Sequence, residues 1–156
     1  MEIKYLKELE KNPARDGFIN KPMSLSEIEQ LELTYNNGNP FPMALKELLS
    51  LAGHDCIVLD YGLNETQSEL QEFVRENMAE ENRVISRPFY AVDVYNAFDQ
   101  FLFIYLDDGD NPPLYEAYYG DNTFGGQVGW IRKMQPNFVN LINLRIQSVK
   151  EGLNPF

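Results

Sequence analysis

The chain has 156 residues, 44% of them hydrophobic, and a single domain of this size can bury one core without disulfides or a structural metal. Its 24 acidic and 13 basic side chains give a formal charge of -11, which argues against nucleic acid as a partner because phosphate backbones are bound by clustered Lys and Arg. No apolar run approaches the roughly 20 residues of a membrane span, and the N-terminus is unlike a signal peptide. Because Cys56 is the only cysteine, a reducing, cytoplasmic setting is expected.

The first part of the chain predicts two helices. Apolar residues at helical spacing predict a short helix over residues 1–11, followed by a loop over residues 12–22. Ser24 and Glu27 match the capping box, in which the hydroxyl and the carboxylate each accept a backbone N–H at the start of a helix. A second helix is therefore expected to begin after Ser24.

A third helix, a strand and a fourth helix are predicted next. Pro42 suits the first turn of the third helix, and Gly53 is expected to end it in the left-handed conformation. The β-rich run at residues 55–61 predicts a strand. Thr66 and Glu69 form a second capping-box pattern, so a fourth helix should follow and end near residues 81–83.

From residue 84 onward the pattern changes to short β-branched and aromatic runs separated by turn residues. These runs predict strands at residues 89–95, 101–106, 114–119 and 130–131. The run 101–106 is apolar on both faces and is expected to be a central strand, and a last helix should follow Pro136 and stop at Gly152. Helices on both sides of contiguous strands predict a single α+β domain over residues 1–156, with a mainly antiparallel sheet packed against several helices.

The order of these segments resembles one known family. LSEIEQLE, then FPMALKELLSLAG, then PFYAVDVYNAFDQFLFIYLDD, NPPLYEAYYGD and NFVNLINLRI are similar to the SMI1/KNR4 (SUKH) superfamily over residues 24–150. The resemblance implies a non-enzymatic interaction domain: bacterial members are immunity proteins that neutralise polymorphic toxins, often nucleases, and fungal members regulate cell-wall synthesis. The family implies no catalytic residue and no cofactor.

Acidic and aromatic residues concentrate in one segment. Residues 88–131 contain no Lys or Arg but seven acids and 12 of the chain's 20 aromatic residues. Such a surface would attract a basic protein and offer tyrosine anchors. The candidate partner-binding residues are Asp93, Asp99, Asp107, Asp108, Asp110, Glu116, Tyr118 and Asp121. The alternative interpretation is that the aromatic residues form the core and the acids keep the protein soluble.

The acids of this segment are expected to differ in whether they lie on turns or on the sheet. The acids at 107, 108, 110 and 121 are predicted to be exposed on turns, whereas Asp93 and Glu116 are predicted on a sheet face beside Tyr118. A carboxylate pair such as Asp93 and Asp99 also leaves acid–base chemistry on a sugar as an alternative.

The remaining chemical motifs are weak. The sequence DDGDN at residues 107–111 lacks the bidentate Glu that a calcium loop places at its twelfth position, so a polar turn is expected. His54 is expected to interact with the end of the third helix, and a Cys56–His54 dyad has no evident orienting group.

The sequence therefore favours a protein that is not an enzyme and has no metal or cofactor. The favoured function is immunity by occlusion of a basic toxin domain. A regulatory scaffold is the alternative, and a sugar- or metal-dependent enzyme is the third possibility. The oligomeric state is left open.

Overall fold

The computed structural model describes residues 1–120, 123–124 and 127–156. The helices in chain order are α1 (Lys7–Lys11), α2 (Leu25–Tyr35), α3 (Met43–Ala52), α4 (Gln67–Glu80) and α5 (Phe138–Lys150). The strands are β1 (Ala14–Arg15), β2 (Phe18–Ile19), β3 (Phe89–Asp93), β4 (Gln100–Tyr105), β5 (Leu114–Tyr118), β6 (Thr123–Phe124), β7 (Gln127–Val128) and β8 (Ile131–Gln135).

The main sheet is antiparallel and has the strand order β3-β4-β5-β8, while β1-β2 and β6-β7 form two small hairpins. Both faces of the main sheet are buried. Leu102 and Ile104 pack with α1, α2, α3 and α5 on one face, and Phe101 and Phe103 pack with α4 on the other. The predicted α+β domain and the predicted central position of β4 are confirmed.

The two edges of the main sheet are protected from further strand pairing in different ways. At β3, the side-chain amide of Gln71 on α4 donates to the carbonyl of Ala91 (2.8 Å) and accepts from its N–H (2.9 Å), and Arg75 donates to the carbonyl of Phe89. Within the described residues, β8 pairs with β5 alone, and its Arg132 and Lys133 are exposed. Side chains therefore close one edge, while charge protects the other.

The helix starts follow the local signals in the sequence. Ser24 Oγ accepts from the N–H of Glu27, and the Glu27 carboxylate accepts from the N–H of Ser24, so the predicted capping box of α2 is complete. At α4, Thr66 Oγ1 accepts from the N–H of Glu69, but the Glu69 carboxylate accepts from Glu65 instead of Thr66. Both helices begin where they were predicted.

The predicted strand at residues 55–61 is wrong. Only Asp55 forms a bridge, with Lys21, and the rest of the segment is irregular. Its backbone groups bond to distant side chains, since the N–H of Ile57 donates to Asn20 Oδ1 (2.8 Å) and the N–H of Asp60 donates to Asp93 Oδ2 (2.9 Å). Side-chain acceptors thus replace a neighbouring strand.

Two helix ends differ from their predictions. Gly53 has φ -69°, not the left-handed value, and glycine is needed there because a Cβ would collide with the side chain of Met23 and the carbonyl of Leu49. Helix α1 starts only at Lys7, because the buried Glu47 carboxylate accepts the N–H groups of residues 4, 5 and 6 (2.7–2.9 Å) and holds that segment outside a helix.

Candidate functional site

A cleft of about 650 Å³ opens at the end of the main sheet where β3 finishes. It lies between the β1-β2 hairpin, the irregular segment 54–64 and the last residue of the chain. The principal lining residues are Arg15, Phe18, Ile19, Lys21, Asp55, Cys56, Ile57, Asp60, Tyr61, Asn64 and Phe156. The cleft is therefore built by segments that are distant in the sequence.

The β1-β2 hairpin forms one rim of the cleft. Asp16 and Gly17 have φ values of 49° and 82°, so they form the two-residue left-handed turn that matches the twist of a hairpin. This turn presents Phe18 and Ile19 to solvent, with 70% and 62% of their surfaces exposed. Exposed apolar residues grouped at one place are typical of an interaction site.

Other apolar residues lie next to the cleft. Leu63 is fully exposed between Gly62 and Asn64, which both line the cleft. The ring of Tyr95 stacks on that of Phe156, with centroids 5.6 Å apart, and both rings remain accessible in part. We call Phe18, Ile19, Leu63, Tyr95 and Phe156 the cleft rim. Phe98, in the same loop as Tyr95, is strongly exposed as well.

A buried ion pair lies behind this rim. Arg145 on α5 donates to Asp93 Oδ2 at 2.6 Å and to the carbonyl of Val58 at 2.9 Å. The Asp93 carboxylate also accepts the N–H of Asp60 and the N–H of Tyr95, each at 2.9 Å. The ion pair thus fixes both the segment 58–60 and the backbone that carries Tyr95.

Titratable groups in the cleft are partnered within the molecule. Lys21 pairs with Asp55, and His54 Nε2 lies 3.1 Å from Glu27 Oε1, so the His54 side chain contacts α2 and not Cys56. Burial raises the pKa of the Cys56 thiol to about 11, which disfavours the thiolate. These partners give no support to nucleophilic chemistry at Cys56.

The described part of the chain has neither a grouped set of metal ligands nor a membrane-spanning helix. Within it, no three His, Cys, Asp or Glu side chains are grouped so that they could hold a metal ion. Among the same residues, none of the helices has the length and apolar character needed to cross a bilayer.

The candidate acids divide between the two ends of the main sheet. Asp99 lies in the loop between β3 and β4, at the cleft end, whereas the acids at 107, 108 and 110 lie between β4 and β5, at the opposite end. A strand of five or six residues separates the ends by roughly 17–20 Å. The structure therefore does not bring the eight predicted residues into one site. Asp121 lies outside the described residues.

Asp93 and Glu116 lie on strands β3 and β5 of the main sheet, and both side chains are buried. Asp93 is 1% exposed and is held by Arg145, as described above. Glu116 is also buried and pairs with Arg132 at 2.7 Å. Tyr118 is next to Glu116, and burial, together with a hydrogen bond to that carboxylate, raises the tyrosine pKa. These carboxylates can be buried in the sheet because each forms an ion pair with an arginine, Asp93 with Arg145 and Glu116 with Arg132.

The acids between β4 and β5 are exposed, as predicted, but two of them have internal roles. Arg87 forms hydrogen bonds with Asp107 (2.6 Å for the shortest) and lowers the pKa of that carboxyl group. The carbonyl of Asp110 accepts the N–H of Ala44 at 2.9 Å, in the first turn of α3. This loop therefore helps to hold the helical layer against the sheet.

Sequence reasoning missed the cleft, although one signal for it was present. Residues 12–22 were predicted as a loop. However, the turn pair Asp16-Gly17, followed directly by the apolar pair Phe18-Ile19, is a typical hairpin signal. The other cleft segments carry no such local signal.

Comparison with protein-family models, with curated proteins and with solved structures finds no significant match. The class of the protein therefore rests on its own geometry. It is an acidic α+β domain with an apolar-rimmed cleft at one end of its sheet.

Proposed function

We propose that the chain is a non-enzymatic protein-binding domain that neutralises a basic toxin domain by covering it. The main supporting observation is the cleft rim, where large apolar side chains are exposed together on a chain with a charge of -11. Aromatic residues of this kind dominate binding energies when a partner buries them. The resemblance to SMI1/KNR4 proteins supplies the toxin as the kind of partner. The single cysteine, Cys56, favours the cytoplasm as the place of action.

The proposed mechanism separates attraction from anchoring. Asp16, Asp60 and Asp99 lie at the cleft end of the molecule, and they add to a field that steers a basic partner toward it. The side chains of the cleft rim then make the close contacts. Steering by exposed charges is screened over about 8 Å at physiological ionic strength, so the association rate should fall as salt is added.

The test is binding to the C-terminal domain of a large secreted protein encoded next to this chain. Affinity is measured at low and at high salt, and the toxicity of the domain is measured with and without the chain. We expect tight binding that weakens with salt and abolishes toxicity. A bound toxin domain that keeps full access to its substrate would contradict occlusion.

Matched variants place the binding surface. Phe18→Ser removes an aromatic anchor and is expected to weaken binding by about tenfold or more. Leu33→Ser removes a similarly exposed apolar residue, 60% accessible, from helix α2 and should leave binding unchanged. Equal affinities of the two variants would refute the cleft as the docking site. Capture of several endogenous proteins, with no toxin among them, would favour the regulatory scaffold instead.

A further inference from the structure

One strand edge inside the cleft has no partner strand. The N–H of Asn20 donates to the carbonyl of Pro13 at 2.8 Å, and the N–H of Lys21 donates in the opposite direction, to the carbonyl of Asp55, at 2.9 Å. Because backbone groups alternate in direction along a strand, the N–H and C=O of Ile19 point the same way as those of Lys21, away from β1.

The segment that would pair with Ile19 is diverted. After the Lys21–Asp55 bridge the antiparallel order would bring Ile57 opposite Ile19, but the N–H of Ile57 donates to the side chain of Asn20. The two segments splay apart, and the cleft lies between them. Outside the β1-β2 hairpin, no group among the described residues forms a hydrogen bond with the N–H or C=O of Ile19.

We infer that the partner docks by adding an extended strand along β2, with its backbone bonded to the N–H and C=O of Ile19. This inference rests on the proposed function for the basic character of the partner. An open strand edge offers hydrogen bonds to any extended chain, while neighbouring pockets select its side chains. Here the cleft accepts an apolar side chain next to Phe18.

Charge selects the occupant of the cleft. Arg15 and Lys21 also line the cleft, but they form ion pairs with Asp16 and Asp55. Asp60 lines the cleft without a cation partner among the described residues, so Lys or Arg beside the inserted apolar residue would meet its carboxylate. A second copy of this chain would bring another charge of -11 to the same place and be repelled. The expected element is therefore an apolar residue flanked by basic residues in an extended segment.

The probe is the peptide acetyl-Lys-Val-Phe-Val-Lys-amide, added to the ¹⁵N-labelled chain, with the same peptide carrying Glu in place of Lys as a charge control. We expect the Lys peptide to shift the amide signal of Ile19 and to slow its exchange with water, and the Glu peptide to bind more weakly. Shifts confined to residues 107–110, or an unchanged Ile19 exchange rate at saturation, would overturn the inference.

A pair of variants tests the backbone contact itself. Ile19→Pro removes the outward N–H, and Ile19→Val keeps it while changing the apolar side chain only slightly. Loss of one hydrogen bond should weaken peptide binding by about tenfold in the proline variant relative to the valine variant. Equal binding would refute strand addition. If the proline variant unfolds, the Ile19 exchange measurement in the unaltered chain still decides.

The inference and the proposed function can fail separately. Peptide binding at Ile19 without any toxin neutralisation would retain the strand site and reject the immunity function. Neutralisation that is equally strong in the Pro and Val variants would retain the function and reject strand addition at β2.

Discussion

Substitution of Asp93 tests whether the buried ion pair holds the cleft together. Asp93→Asn keeps the shape of the side chain but leaves the guanidinium of Arg145, whose side chain is only 10% exposed, without its counter-charge. Removal of one partner from a buried pair costs about 3–5 kcal/mol, because arginine cannot give up its proton. Asparagine also has one acceptor oxygen where the carboxylate accepts from Asp60, Tyr95 and Arg145.

Urea unfolding followed by the fluorescence of Trp130 measures this cost. With an m-value of about 2 kcal/mol per molar, the midpoint should fall by about 1.5–2.5 M. The double variant Asp93→Asn with Arg145→Met removes both charges, and it should be more stable than the sum of the single effects predicts, by about 1–3 kcal/mol. Additive effects, or midpoint shifts below about 0.5 M, would show that the pair does not have the assigned role.

Three other predictions concern single residues. Burial raises the pKa of Cys56 to about 11, so at pH 8 it should react with iodoacetamide about two orders of magnitude more slowly than free cysteine, as measured by mass spectrometry. For the same reason the fold should lose stability as the pH rises above the free-thiol pKa of about 8.5, as measured by unfolding from pH 7 to 10. Gly53→Ala should destabilise by about 1–3 kcal/mol in thermal unfolding, because the added Cβ would collide with Met23. Glu47→Gln should cost about 1.5–3 kcal/mol and speed hydrogen exchange at residues 4–6, since a neutral amide replaces the buried carboxylate; unchanged exchange there would refute that role.

Features encoded by neighbouring residues could be predicted from the sequence. The starts of α2 and α4 follow from Ser24 and Thr66 with the glutamates three residues later, because capping is a contact within one turn. The strands β3, β4 and β5 follow from their aromatic and β-branched composition. These signals were sufficient for the class of fold and for the central strand.

Features that depend on distant contacts could not be predicted. The composition of segment 55–61 suits a strand, but its backbone groups are bonded to Asn20 and Asp93, which no local pattern indicates. In the same way, Asp93 looks like a surface acid until Arg145, 52 residues away, is placed beside it. The cleft was missed for this reason, since its walls come from separate segments of the chain.

The glutamine at the edge of β3 also has a consequence for assembly during folding. A side-chain amide carries one acceptor and a donor much as a peptide group does, so Gln71 occupies the position that a neighbouring strand would take at Ala91. Before α4 docks, this edge is free to pair with another molecule. Helix α4 therefore protects this edge of the sheet from pairing with another molecule. A chain whose α4 is detached should refold with a yield that falls as the protein concentration rises.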